Sequence, residues 1–364
     1  IRPARAPTYG QLVNSPLHVT MGRIFRGIAS FSTLSFLLLV LASARSRKMR
    51  YHLNAMLYVF GACVCSSIGM VYAIFSSFIP GKRLHTNFVV ARSFFYFTRP
   101  LIGLDVTIEN EHYLQNRPAI MVGNHQSMVD TVYLGRMFPT SSIILGKKEL
   151  LYVPFLGQFM WLGGNVFVDR KNRASAIKTM DSIGAYMRKN NLMMFIYPEG
   201  TRSHLATPDL LPFKKGAFHL AVQTQLPIIP VVCENYYRLY DSKTRFEGGR
   251  LRVAVLPPIE TKGLTEQDVG PLSENVRKVM LDQLVAFDRE LDQRDVDMTM
   301  HPSPTSQKPR LYGLAGLAAR LIGTGNQTSY KRSLDKIAQN QKVSKGPAPS
   351  DYGLVSEGSH AKTA

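Results

Sequence analysis

Hydrophobic and polar positions divide the chain into three stretches of different rhythm. The first is apolar with little periodicity. Gly27 to Ala44 carries no formal charge, and Tyr51 to Gly81 contains no Asp, Glu, Lys or Arg. About 20 apolar residues suffice to cross the hydrocarbon of a bilayer. The two runs therefore predict a membrane helical hairpin, turned by Arg45-Ser46-Arg47-Lys48-Met49-Arg50. A cleaved signal peptide or a buried core helix is the alternative for the first run. A second apolar run so close behind, and no clear small-residue cleavage site, weigh against it. The basic turn argues for a cytosolic loop, while Arg23 and Arg26 before it and Lys82 and Arg83 after it pull the other way. A hairpin that dips into one leaflet would relax that conflict. Phe88 to Arg99 follows, aromatic with spaced arginines. It suits either a helix at the membrane interface or an ordinary amphipathic core helix.

From about residue 100 to 295 the rhythm changes to short apolar runs alternating with longer amphipathic ones. The short runs predict strands at 118–123, 142–146, 165–169, 192–197, 228–233 and 251–256. Helices are expected near 127–137, 149–161, 172–189, 216–224 and 273–293. Runs such as Leu192-Met193-Met194-Phe195-Ile196-Tyr197 are apolar on both faces, as a sheet covered on two sides requires. The alternation implies an α/β domain, a mostly parallel sheet flanked by helices, behind the N-terminal membrane hairpin.

The third stretch, from about 299, is rich in Ser, Pro, Gly, Gln and Lys. It reads as a mostly disordered basic tail, with one candidate interfacial helix at 311–322. Asn326-Gln327-Thr328 is a glycosylation triplet of low specificity. The chain starts at Ile1 and its first methionine is Met21. Residues 1–20 are thus expected to be a disordered arm or a gene-model artefact. The expected organisation is an arm at 1–20, the hairpin at 21–87, the catalytic domain at 88–298 and the tail at 299–364.

Charge narrows the partners. Lys and Arg number 44 against 25 Asp and Glu, a formal net charge of +19. That excess favours phosphates and acidic lipid surfaces. Zinc-finger spacing, RNA-binding signatures and a basic leucine zipper are all missing, so nucleic acid is not an expected partner. Cys63 and Cys65 lie in an apolar run and Cys233 in a predicted strand. They read as small buried residues rather than a disulfide framework.

Ligands of open parallel sheets bind outside the carboxyl ends of the strands. Three polar clusters stand at predicted strand ends and should face one crevice. The first is Asn124-His125-Gln126-Ser127-Met128-Val129-Asp130. Five helical residues turn through roughly 500°, so His125 and Asp130 meet only if His125 sits in the turn before a helix and Asp130 in its first turns. A carboxylate on one imidazole nitrogen leaves the other free to take a proton. With no protein nucleophile in the pattern, the substrate brings its own hydroxyl. Asn124 and Ser127 suit helix capping.

The second cluster is Gly164 to Arg170, and the third is Pro198-Glu199-Gly200-Thr201-Arg202-Ser203. Arg170 and Arg202 are candidates for a phosphate, because a guanidinium makes paired hydrogen bonds to its oxygens. Thr201 adds a hydroxyl, Gly200 lets backbone approach, and Glu199 is suited to fix an arginine or order the loop. Lys147, Lys148, Lys214 and Lys215 flank these regions and read first as solvated surface lysines, with attraction of a polyanionic carrier such as coenzyme A as the alternative. Metal-ligand spacing is missing near His125, as are the G-x-S-x-G turn of serine hydrolases and the G-x-x-x-x-G-K-[ST] loop.

Together these residues resemble the 1-acyl-sn-glycerol-3-phosphate acyltransferase family. Asn124 to Asp130 resembles its N-H-x-x-x-x-D block, Gly164 to Arg170 its G-x-x-F-[IV]-D-R block, and Glu199 to Arg202 its E-G-T-R block. Leu226 to Val231 resembles its proline-bracketed apolar block. Order and spacing agree over about residues 25 to 295. Tyr197, where relatives often carry phenylalanine, is a mild difference. The resemblance implies that His125 is the general base on the sn-2 hydroxyl of lysophosphatidic acid and that Asp130 orients it. Acyl-CoA is then the donor and phosphatidic acid the product, with no acyl-enzyme, cofactor or metal. Asn124, Arg170, Glu199, Gly200, Thr201 and Arg202 are the implied substrate-binding residues. The lipid bilayer is an implied partner, at the endoplasmic reticulum or a lipid-droplet surface.

Overall fold

The computed structural model describes residues 16–168, 183–300 and 312–322. Two long helices open it, α1 (Pro16–Arg45) and α2 (Arg47–Ser77), followed by α3 (Thr86–Ile102). Then come β1 (Leu104–Glu109), β2 (Ala119–Gly123), α4 (Asp130–Met137), β3 (Ser142–Lys147), α5 (Leu156–Leu162) and β4 (Val166–Val168). Beyond a helix described at 183–190, called α6, lie β5 (Met193–Ile196), α7 (Gly216–Thr224) and β6 (Ile228–Cys233). A small hairpin, β7 (Tyr240–Asp241) and β8 (Arg245–Phe246), leads to β9 (Gly249–Val255), α8 (Val269–Met300) and α9 (Gly313–Leu321).

Seven strands form one sheet in the order β1-β9-β6-β2-β5-β3-β4. Strands β6, β2, β5, β3 and β4 are parallel, and β9 joins β6 antiparallel with β1 parallel to β9. Side chains alternate across the central strands, which splits the core in two. Ala119 and Met121 pack with Leu53, Leu57 and Phe95 from α2 and α3, and with Val132 from α4. Ile120 and Val122 pack with Ile183, Phe218 and Val276 from α6, α7 and α8. Both faces are covered, which is why β2 and β5 are apolar at every position.

The strands expected from doubly apolar runs form at the expected places. Strand β1 and the short β7–β8 hairpin were not among them. Leu104-Asp105-Val106-Thr107-Ile108-Glu109 alternates apolar and polar residues, as an edge strand with one wet face does. The helix expected at 149–161 is divided into a 3₁₀ turn, Lys148–Tyr152, and α5. Pro154 lies between them. Proline has no N–H to give and biases the residue before it away from helical backbone.

The two apolar helices are both long enough to cross a bilayer. The basic segment between them is not a free loop. Only Ser46 interrupts the helices, and its hydroxyl accepts from the Met49 N–H to cap α2. Arg50 is buried, donates to the Ser43 carbonyl at 2.7 Å and pairs with Glu247 at 3.0 Å. One of the charges in the expected turn therefore anchors α2 to the sheet domain.

The helices differ in cover. One face of α2 is core, while Met56, Val59, Phe60, Ile68, Val71, Ile74 and Phe75 point outward. In the apolar stretch of α1 at 27–41 no residue is buried by the described residues, and only Leu39 and Val40 near its end pack partly against the core. For α3, the core reading holds, since Phe94, Phe95 and Ile102 are buried in the face shared with α2 and α4.

Candidate active site

The turn after β2 brings His125 and Asp130 together. β2 ends at Gly123, residues 127–129 make a tight turn, and Asp130 is the first residue of α4. The Ser127 hydroxyl accepts from the Val129 N–H at 3.0 Å and closes that turn. His125 Nδ1 lies 2.7 Å from Asp130 Oδ2. The same oxygen accepts from the backbone N–H groups of Gln126 at 2.9 Å and Ser127 at 3.2 Å. On the other carboxylate oxygen, the Tyr236 hydroxyl donates at 2.5 Å. Burial, then the Asp130 charge, pushes the Tyr236 hydroxyl well above the usual phenol range. Tyr236 thus stays protonated and serves as a donor. Asp130 is buried, and four hydrogen bonds satisfy its carboxylate oxygens.

The imidazole is held from its flat side too. The Tyr197 ring stacks on it with centroids 3.8 Å apart and planes 16° from parallel. A carboxylate on Nδ1 selects the tautomer whose Nε2 has a free lone pair. The His125 side chain is 18% exposed, so that lone pair has access to an incoming group. Among the described residues, Nε2 makes no hydrogen bond.

β5 lies beside β2 and runs parallel to it, so the loop after β5 adjoins the dyad. Glu199 is the joint between the two loops. One oxygen accepts from the His125 backbone N–H at 2.6 Å, and the other from the Leu211 N–H at 3.1 Å. Burial raises its carboxyl to about 7 against the pull of those two donors. Farther along, the N–H groups of Ser203 and His204 donate to the carbonyls of His125 and Gln126 at 2.8 and 3.1 Å. Of the two roles suited to Glu199, ordering the loop is the one it performs. Gly200 has φ +70°, a left-handed turn open to glycine, and a Cβ there would meet Lys214 Cδ and Cε at 2.8 Å. Thr201 and Arg202 are exposed beyond it. The charge of Arg202 is felt at the Tyr240 hydroxyl of β7.

Asn124 serves differently from expectation. Its amide is buried, donating to the Cys233 carbonyl at 2.9 Å and accepting from the Cys233 N–H at 2.8 Å. It ties the end of β2 to the end of β6 and neither caps α4 nor faces a substrate. Gln126 does the same, donating to the carbonyls of Cys233 and Glu234. Arg170 lies outside the described residues. β4, which precedes it, ends on the same sheet edge as β2 and β5. Tyr236 was missed from sequence. Its signal was there: Glu234-Asn235-Tyr236 follows an apolar strand that ends at the same edge.

A half-buried histidine on a buried aspartate, with an exposed arginine on the next loop, stands at the carboxyl edge of a largely parallel sheet. The acyltransferase family profile matches residues 105–234, the span holding the dyad and the Glu199 loop. Saccharomyces cerevisiae 1-acyl-sn-glycerol-3-phosphate acyltransferase is 34% identical over 313 residues, 86% of this chain and 96% of that one. The human alpha enzyme of the same name is 38% identical over 197 residues, 54% of this chain and 69% of that one. The crystal structure of the 1-acyl-sn-glycerophosphate (LPA) acyltransferase from Thermotoga maritima superposes with a TM-score of 0.53 at 25% identity, covering 66% of this chain and 98% of that one. The chain belongs to the 1-acyl-sn-glycerol-3-phosphate acyltransferase family and is an acyltransferase.

Proposed function

We propose that the protein moves an acyl group from acyl-CoA to the sn-2 hydroxyl of lysophosphatidic acid at a membrane surface. The observation that carries this is the dyad: Asp130 on Nδ1 at 2.7 Å, and Nε2 open toward the sheet edge that also bears Arg202. Nε2 takes the proton of the lipid hydroxyl as its oxygen attacks the thioester carbon. The tetrahedral intermediate expels the coenzyme A thiolate, which receives that proton from the imidazolium. The products are phosphatidic acid and free coenzyme A, with His125 neutral again. Asp130 balances the transient positive ring. Arg202, with Arg170, holds the acceptor phosphate. Glu199 and Gly200 shape that loop, and Thr201 adds its hydroxyl. General-base help of this kind is worth about 10²- to 10⁴-fold.

Membrane placement follows from area. Ten large apolar side chains on α1, from Met21 to Leu41, are exposed. At roughly 1.5–3 kcal/mol for each one moved out of water, leaving them wet would cost more than a domain's whole stability. We place α1 and the outward face of α2 in lipid, where both acyl chains of the reaction also partition, and expect the endoplasmic reticulum or a lipid droplet as the site.

The test is an acceptor panel. Purified protein is given one acyl-CoA with lysophosphatidic acid, glycerol 3-phosphate or lysophosphatidylcholine. We expect turnover with lysophosphatidic acid to exceed the others by at least about tenfold in kcat/KM, the scale of one lost phosphate or acyl-chain contact. Preference for another acceptor would transfer the proposal to that lipid, and no turnover with any would end it.

A further inference from the structure

We propose that a second cationic site, separate from the dyad, binds the phosphate of an anionic phospholipid where α9 meets the sheet. A cleft of about 350 Å³ lies there, floored by Gly103, Gly249 and Gly313 and rimmed by Arg99, Arg250 and Arg320. Its floor is bare backbone for a reason. Gly103 has φ +82°, and a Cβ on it would stand 2.2 Å from the Tyr312 Cβ and 2.5 Å from the Gly313 nitrogen. Only glycine lets α9 close over the end of α3 and the start of β1. Asp105 is the carboxylate of the lining, and Arg99 holds it with Nε 3.1 Å from Oδ1. Arg250 and Arg320 are exposed and make no side-chain ion pair among the described residues. Three guanidinium groups against one carboxylate leave the cleft cationic. Planar forks of this kind match phosphate oxygens.

Two placements select a lipid over a free anion. First, α9 seats Ala318 and Ala319 on Ala44, one residue before α1 ends. The end of an apolar span lies at headgroup depth, and Arg320 lies beside it. Leu317, in the cleft wall, and Leu321 are exposed on the same helix, a surface for acyl chain rather than for water. Second, β9 runs antiparallel to β6 with Val253 paired to Cys233, so its start at Gly249 projects four residues past the end of β6, on the side to which β2 also points its carboxyl end. The cleft and the dyad share one edge of the sheet, with β6 between them. One bilayer face therefore serves both. In this arrangement the bound headgroup ties α9, α3 and β9 to the surface that presents the acceptor lipid.

The site makes no use of the acyl-transfer reading, and its test separates the two. The full chain, purified in mild detergent, is titrated with dioctanoylphosphatidylglycerol while its thermal midpoint is followed. The midpoint should rise saturably in the wild type and equally in His125→Ala. In the double variant Arg250→Gln/Arg320→Gln the half-saturating lipid should increase on the order of tenfold or more, the loss expected for charge-assisted hydrogen bonds. This variant keeps the Arg99–Asp105 pair. Arg250→Lys/Arg320→Lys, which keeps the charge, should recover part of the affinity and guards against a folding defect. Dioctanoylphosphatidylcholine and inorganic phosphate should give little shift at the same concentrations. An unchanged titration in the double glutamine variant would overturn the site. Equal binding of phosphatidylcholine would remove its anion selectivity, and an equal shift with inorganic phosphate would reduce it to a free-anion site. Loss of acyl transfer with these shifts intact would count against the proposed function alone.

Discussion

The loops after β2 and β5 lie side by side, yet they are built in opposite ways. The first is closed. Asn124, Gln126, Ser127 and Asp130 are buried, and their polar atoms bond to Cys233, Glu234 and Tyr236. The second is closed only at its root, where Glu199 grips the His125 backbone, and opens outward at Thr201 and Arg202. On the proposed mechanism, the difference follows from what each loop would handle. Proton transfer needs a ring held to a fraction of an ångström, and a buried hydrogen-bonded network supplies that. A phosphate on a lipid arriving from a bilayer needs a charge that can reach, and an exposed arginine supplies that. The chemical half is preorganised; the recognition half is electrostatic.

The sharpest way to break this contrast is to remove the ring. His125→Ala is expected to lower kcat by about 10²- to 10⁴-fold, while recovery of the protein in the membrane fraction is unchanged. Full activity in that variant would take His125 out of the mechanism.

Next in size is the support behind the ring. Tyr236→Phe deletes the hydroxyl that donates to Asp130 Oδ1 and bonds to Ser127. A hydrogen bond to a charged group is worth about 1.5–3 kcal/mol, so kcat should drop roughly tenfold or more with KM for both substrates little changed. An unchanged kcat with a raised KM would make Tyr236 a packing residue only.

The pieces legible in sequence are those set by local spacing. His125 and Asp130 at five apart, just after an apolar run, forced a turn before a helix, and the turn is there. Doubly apolar runs marked β2, β5 and β6 because both faces of those strands are covered. What stayed hidden depends on strand order. β6 pairs with β2 across more than a hundred residues, and only that pairing brings Tyr236 to Asp130 and Cys233 to Asn124. Asn124 resembled a cap because capping is the local use of an asparagine before a helix; its partner is remote in sequence. Arg50 was read as one charge of a basic hairpin turn because its partner, Glu247, is equally remote. β1 escaped notice because an edge strand alternates where central strands do not.

The recognition half should respond in KM. Arg202→Ala is expected to raise the KM for lysophosphatidic acid several-fold, to about tenfold, with a smaller change for acyl-CoA. Arg202→Lys should rescue only part, since an ammonium makes no paired contact. Equal effects on both substrates would assign Arg202 to the loop's structure or to the donor's phosphates.

The smallest effect tests the joint between the halves. Burial holds the Glu199 carboxyl near 7 in the folded protein, against 4.5 as its ordinary value. A carboxyl with a raised folded value binds its proton more firmly folded than unfolded. Its stabilising contribution is therefore complete below about pH 4.5, is lost as pH rises toward 7, and is flat above that. Over that window the cost is at most roughly 3 kcal/mol, and the two backbone donors already counter part of it. Glu199→Gln has no proton to lose. Thermal midpoints measured from pH 4.5 to 8 should therefore fall less for the variant than for the wild type, even if the variant is less stable at every pH for want of one acceptor. Parallel curves would mean that Glu199 is already ionised in the fold and that its grip on the His125 backbone is stronger than its desolvation.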